Sequence, residues 1–168
     1  MRDTTDQILQ ALALAQTILR DGEPADGWPG KRYLIGMHGE WLTEAEADQK
    51  MISFPQITDA EYYTRYLVQE ANLVRFFLAL HHANSLLVME ETAEQFVVVG
   101  EAAKLVQLIT LGTRELRHYI VYSPALHTVF VDGFDVASVA YALPGKENDR
   151  VRASMRWLAQ ANGLYVLH

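Results

Sequence analysis

The chain of 168 residues is 50% hydrophobic and 21% charged, a composition typical of a globular domain that excludes disordered and fibrous architectures. It contains no cysteine, which excludes disulfides, thiolate nucleophiles and cysteine-ligated zinc. Its formal net charge of −7 is uneven, because residues 1–101 carry 16 acidic and 7 basic residues whereas residues 102–168 carry 5 and 7.

The first predicted helix covers residues 5–20, where apolar side chains recur at helical spacing, and Gly22 follows its end. After a predicted strand at residues 31–37, Thr43 and Glu46 form a capping box for a short helix. No apolar run approaches the ~18 residues that a membrane span needs. We therefore expect one cytoplasmic domain over residues 1–168.

A long helix is predicted over residues 58–84, behind a second capping box made by Thr58 and Glu61. Two further helices are predicted, one between Gly100 and Gly112 and one between Asn148 and Gly163. The apolar stripe of the long helix is expected to pack on a sheet, and its members are Tyr63, Leu67, Val74, Phe77 and Leu78.

Residues rich in Val, Ile, Tyr and Phe dominate the rest of the chain and predict strands. Residues 85–90 and 95–99 form a hairpin around the acidic turn 91–94, and residues 164–167 form a last short strand. Since strands and helices do not alternate regularly, the pattern favours an α+β fold, an antiparallel sheet of hairpin plus three-stranded meander packed against several helices. The strands of the meander are expected at 117–122, 127–132 and 134–143.

Motifs of large enzyme classes are missing: we find no phosphate-binding loop, no dinucleotide fingerprint, no serine nucleophile elbow and no zinc-protease helix. The histidines do not predict a metal site. His81 and His82 are adjacent and diverge, whereas His118 and His127, if Tyr122 faces His127, are about 13 Å apart at ~3.3 Å per residue. The sequence thus predicts no cofactor, no metal and no catalytic residue.

Two enzymatic or ligand-binding alternatives remain open. Carboxylates from distant segments could assemble into a hydrolase site, which a search of neighbouring positions cannot find. Aromatic side chains of the long helix and of the meander could also line a ligand pocket. They are Tyr62, Tyr63, Tyr66, Phe76 and Phe77 on the helix, with Tyr119, Tyr122, Phe130, Phe134 and Tyr141 on the meander.

The acidic N-terminal part predicts a binding surface for a basic protein, because a negative field attracts cationic partners and repels nucleic acid and anionic membranes. Trp28 and Trp41 lie in its least regular segments, and tryptophan is enriched at the energetic centres of protein interfaces. The candidate binding residues are these two tryptophans with Glu40, Glu44, Glu46, Asp48, Glu90, Glu91 and Glu94.

Residues 119–143 carry a Tyr-x-Val-Tyr-Ser-Pro strand, a second strand and a Val-Asp-Gly-Phe-Asp turn. This hairpin resembles one in small acidic immunity or antitoxin proteins, which bacteria keep in the cytoplasm against secreted toxins. The resemblance covers about 25 residues and carries over no site residue. It implies a non-catalytic inhibitor that neutralises a basic toxin by occlusion, with an acidic rim that steers the toxin and aromatic side chains that supply affinity.

Overall fold

Seven strands form one antiparallel sheet in a computed structural model that describes residues 2–90, 94–133, 136–145 and 148–168. In chain order the strands are β1 (Lys31–Gly36), β2 (Leu87–Glu90), β3 (Gln95–Val98), β4 (Ile120–Ser123), β5 (Thr128–Asp132), β6 (Ser138–Ala142) and β7 (Tyr165–Leu167). The helices of the described residues are α1 (Arg2–Asp21), α2 (Glu44–Lys50), α3 (Ala60–Ala83), α4 (Ala102–Thr113) and α5 (Asn148–Ala161). The α+β class is thereby confirmed.

The strand order β3-β2-β4-β5-β6-β1-β7 joins the predicted hairpin and meander through the pairing of β2 with β4. The hairpin β2–β3 and the meander β4–β5–β6 are both present. The first strand of the chain, β1, pairs with β6 and β7 at the far side. One sheet thus connects segments that the sequence separates by more than a hundred residues.

Helices cover both faces of the sheet, because successive strand residues point to opposite faces and both sets are apolar. On one face, α1 buries Ala11, Ala15 and Ile18 in a cluster with sheet residues such as Val129 and Tyr141. The other face carries α3, α4 and α5, whose buried side chains share a second cluster with β1, β4, β5 and β6.

The stripe of α3 that faces the core differs from the predicted one. Phe77 is buried and Val74 packs against the core, but Tyr63 and Leu67 are exposed. The helix buries a neighbouring stripe at intervals of seven residues, which consists of Tyr66, Leu73 and Leu80.

Of the capping boxes predicted for α2 and α3, the structure contains the first but not the second. The box of Thr43 and Glu46 is present at the start of α2. At the start of α3 the expected box of Thr58 and Glu61 is wrong, since Asp59 is the N-cap and its Oδ1 accepts a 2.8 Å hydrogen bond from the Tyr62 amide.

The strand directions place several loops at one end of the sheet. Because all neighbouring strands are antiparallel, β1, β2 and β5 finish at this end, and β3, β4, β6 and β7 begin there. The 24-residue α3 leads into β2 at the opposite end, so its N-terminus lies at the same end as these loops. At about 36 Å it is roughly twice as long as the strands, and its first turns extend beyond them.

Candidate functional site

Carboxylates of three separate segments lie in or after strands that finish at the same end of the sheet, the end of β1, β2 and β5. Glu40 and Glu44 follow β1, Glu90 and Glu94 flank the hairpin turn after β2, and Asp132 ends β5. Glu40, Glu44, Glu90 and Glu94 are all exposed. We call residues 40–50 together with Glu90, Glu94 and Asp132 the acidic end. Of the predicted residues, Glu91 and the side chain of Asp48 lie outside what the structure describes.

The acidic end is a broad surface rather than one carboxylate cluster. In the strand order, β5 stands two strands from β2 and two strands from β1. At about 4.8 Å per strand, the ends of β2, β5 and β1 therefore follow one another at intervals of roughly 10 Å. The acidic residues that end or follow these strands are spread along this edge of the molecule.

Asp132, in the middle, is partly occupied by bonds within the protein. Its Oδ2 lies 2.7 Å from His118 Nδ1, and its Oδ1 accepts a 3.1 Å hydrogen bond from the Tyr119 amide. The His118–Asp132 pair could not be predicted from the sequence, because it depends on the register between β4 and β5. Tyr122 pairs with Val129 rather than with His127, since His127 closes the connecting turn in a left-handed conformation.

Glu46 holds the start of α2 in place. Its Oε2 accepts hydrogen bonds from the Thr43 amide at 3.0 Å and from the Thr43 hydroxyl at 2.8 Å, and Lys50 Nζ lies 3.2 Å from its Oε1. These bonds to the charged form lower the pKa of Glu46 from 4.5 to about 2. Its carboxylate thus shapes the segment, while Glu40 and Glu44 remain the outward charges.

The carboxyl group of Glu46 should titrate at a pH far below that of an ordinary glutamate. Because the folded-state pKa is lowered, the capping bonds contribute fully above about pH 4.5 and are lost as the pH falls towards 2. The NMR chemical shift of the Thr43 amide should follow this titration with a midpoint near pH 2. In Glu46→Gln, which keeps an acceptor but cannot ionise, the shift should not show that titration. A wild-type midpoint near 4.5 would mean that the capping bonds are absent.

The two tryptophans lie at opposite ends of the sheet. Trp41 follows β1, within the acidic end, and its side chain is 64% exposed. Trp28 precedes β1 and is half-buried, with its ring 5.7 Å from that of Tyr141 in an edge-on arrangement. It lines an open cavity of about 380 Å³ against α1. Trp41 therefore lies at the acidic end, whereas Trp28 lies at the opposite end of the sheet.

A buried polar network ties α3 to the end of α4. Arg114 binds both carboxylate oxygens of Glu70, at 2.8 Å through Nε and 2.9 Å through Nη2, while the hydroxyls of Tyr66 and Thr113 lie 3.2 and 3.0 Å from Oε1. The Arg114 guanidinium also lies over the ring of Phe54. These bonds fix the middle of α3 against the end of α4.

Of the aromatic side chains that could have lined a pocket, four pack against one another between α3 and the sheet: Phe76, Phe77, Tyr119 and Phe130. Tyr63 is exposed, Tyr122 and Tyr141 lie on the α1 face, and Phe134 lies outside the described residues. The ring of Phe77 lies 5.6 Å from those of Tyr119 and Phe130, and Phe76 lies 6.0 Å from Phe130, all in edge-on geometry. These rings fill the space between α3 and the sheet. An open cavity of about 650 Å³ lies elsewhere, beside His81 and His82 at the end of α3.

Within the described ranges, no three His, Asp or Glu side chains are grouped in a way that could hold a metal ion. Among the helices of the same ranges, none is long and apolar enough to cross a membrane.

The fold and the acidic end define an α+β protein with a seven-stranded antiparallel sheet between helices and with a negatively charged, tryptophan-bearing surface at one end. Comparison with protein-family models, with curated proteins and with solved structures finds no match to this chain.

Proposed function

We propose that this protein is a non-catalytic binding module of the immunity type, which neutralises a basic toxin by covering its positively charged surface with the acidic end. The observation that carries the proposal is the convergence of three acidic segments on one end of the sheet, with the exposed indole of Trp41 among them. Such a surface combines long-range attraction for a cationic protein with an aromatic side chain that can be buried on contact.

Two local features strengthen this reading of the acidic end. Lys50 pairs with Glu46 and offsets that charge, whereas Glu40, Glu44, Glu90 and Glu94 are exposed and supply the negative charge of the acidic end. The capping box also fixes the start of α2, so that Glu44 is presented from an ordered helix rather than from a loose loop. A preorganised surface loses less conformational entropy when it binds.

The experiment is a kinetic comparison of charge reversals at the two ends of the sheet. The basic partner is isolated from the cells that express the protein, purified, and required to bind the purified wild-type protein. Glu40→Lys with Glu44→Lys should lower the association rate constant about tenfold or more at low salt, and should change the dissociation rate much less. Salt should reduce the wild-type association rate towards that of the variant, because ions screen charges beyond about 10 Å.

Glu23→Lys with Asp26→Lys is the matched control, because it changes the net charge equally in the exposed loop at the opposite end. If the control slows association as much as the acidic-end variant, net charge alone drives binding and the acidic end has no special role. If no basic protein binds the purified chain, the proposal is wrong.

A further inference from the structure

The sheet leaves one of its edges open at β3. This strand is the last of the seven at its side, and among the described residues its outer edge pairs with no other strand. Its sequence, Gln95-Phe96-Val97-Val98, carries no charge and no proline, and the Val98 side chain is 66% exposed. Unpaired edge strands are usually protected by charged side chains, proline or a bulge. β3 has none of these, since it also pairs with β2 residue for residue.

The outer edge of β3 presents the backbone groups of two residues. The Val99 amide donates to the Leu86 carbonyl at 2.9 Å, so the backbone groups of Val99 point towards β2. Because these groups alternate in direction along an antiparallel strand, those of Val97 also point towards β2, whereas those of Phe96 and Val98 point outwards. Two amides and two carbonyls in this arrangement fit the edge of another extended strand.

We propose that two copies of this chain pair through β3, antiparallel and about a two-fold axis at Val97. In this register Phe96 of each copy lies opposite Val98 of the other, and each such pair exchanges both of its N–H···O=C bonds. The outward groups of both strands are then bonded. Residues directly opposite share a face of the sheet, so the exposed Val98 side chain lies beside the half-buried ring of Phe96, a cross-strand pair that favours association. The proposal does not depend on the binding of a basic protein.

Charge favours the antiparallel arrangement over a parallel one. Glu94 lies three residues before Val97, so antiparallel pairing keeps the two Glu94 residues roughly 20 Å apart at ~3.4 Å per residue. It places each Glu94 opposite Gly100, where nothing lies within 4 Å of the position of a Cβ atom. Lys104 offsets the charge of the next residue, Glu101, since its Nζ lies 3.4 Å from Oε1. The net charge of −7 per copy still opposes association, so salt should strengthen the dimer.

The size of the contact predicts a weak dimer, because an edge of four residues buries well under the roughly 800 Å² per subunit of a standard interface. In sedimentation equilibrium between ~10 μM and ~1 mM, the average mass of the wild-type protein should rise from 19.0 kDa towards twice that value, and more steeply at high salt. Val98→Pro should abolish the rise, since it removes an outward amide that β2 does not use. Val98→Thr is the matched control, because it keeps the amide and the β-branched shape.

A cysteine cross-link tests the register, since the chain contains no cysteine of its own. Val97→Cys places the two cysteines directly opposite each other in a pair without hydrogen bonds, about 4.5 Å apart between Cα atoms and within reach of a disulfide. In Val98→Cys they would be about 8 Å apart, beyond the limit of about 7 Å, although Val98 is the more exposed residue. Val97→Cys should therefore oxidise to a dimer at least about tenfold faster than Val98→Cys.

The outcomes separate this dimer from other uses of the edge. If the wild-type protein keeps the mass of one chain throughout the concentration range, or if the two cysteine variants oxidise at equal rates, the inference is wrong. In NMR spectra the Phe96 and Val98 amide shifts should change with protein concentration more than the Val97 amide shift. If they change only when a basic protein is added, the edge takes a strand from that protein, and pairing of two copies is again wrong.

Discussion

Replacing Phe77 with alanine should lower the free energy of unfolding by about 3–5 kcal/mol, the range for emptying a buried aromatic position. The ring is almost fully buried and meets those of Phe76, Tyr119 and Phe130 at centroid distances of 5.3, 5.6 and 5.6 Å. Because rings from α3, from β5 and from the residue before β4 meet here, collapse of the cavity would require α3 to move relative to the sheet. Urea unfolding measures the loss.

Val68→Ala is the control for Phe77→Ala, since Val68 lies on the same helix and is exposed. It should change the free energy of unfolding by no more than about 0.5 kcal/mol. An unchanged unfolding midpoint for Phe77→Ala would mean that the Phe77 ring lies at the surface, contrary to the packing of α3 on the sheet.

Arg114→Met should cost about 3 kcal/mol of stability, because it leaves the Glu70 carboxylate buried without its counter-charge. The Glu70 side chain is 9% exposed and that of Arg114 28%, so solvent replaces the lost partner poorly at Glu70. This partial exposure of Arg114 places the expected cost at the lower end of the range for buried ion pairs. Methionine keeps much of the packing over Phe54 and removes the charge.

The double variant Glu70→Leu with Arg114→Met isolates the ion pair from its surroundings. Since an apolar pair of similar volume needs no compensating charge, the double variant should be markedly more stable than the sum of the two single losses predicts. Chemical unfolding of all four proteins measures the coupling. Strictly additive losses would show that the two side chains do not stabilise each other.

The acidic end could be predicted only in part. The composition shows that residues 40–48 and 90–94 are acidic, and the capping box of Thr43 and Glu46 is visible in the sequence. That these segments share one end of the sheet follows from the strand order, which depends on contacts between distant residues. The Trp28 and Trp41 side chains looked equivalent in the sequence, but only Trp41 lies at this end.

The buried network and the exposure of Tyr63 and Leu67 were beyond sequence reasoning for a related reason. Glu70 and Arg114 are 44 residues apart, and nothing local marks either as a partner of the other. Tyr63 and Leu67 match the apolar period of α3 as well as the buried residues do. They are exposed because α3 turns the neighbouring stripe of Tyr66, Leu73 and Leu80 towards the core, and the orientation of a helix about its own axis is set by tertiary packing.

Local chemistry was enough to determine the elements of this protein: the helices through their apolar period and caps, the hairpin and meander through β-branched residues and turns, and the acidic bias through composition. Only the tertiary structure decided that β1 lies between β6 and β7, that the strands before the acidic segments finish at one end of the sheet, and that Tyr63 and Leu67 stay exposed. The physical reason is that element type depends on interactions within a few residues. Strand order, register and exposure depend instead on which distant apolar surfaces bury one another, and no short segment of the chain carries that information.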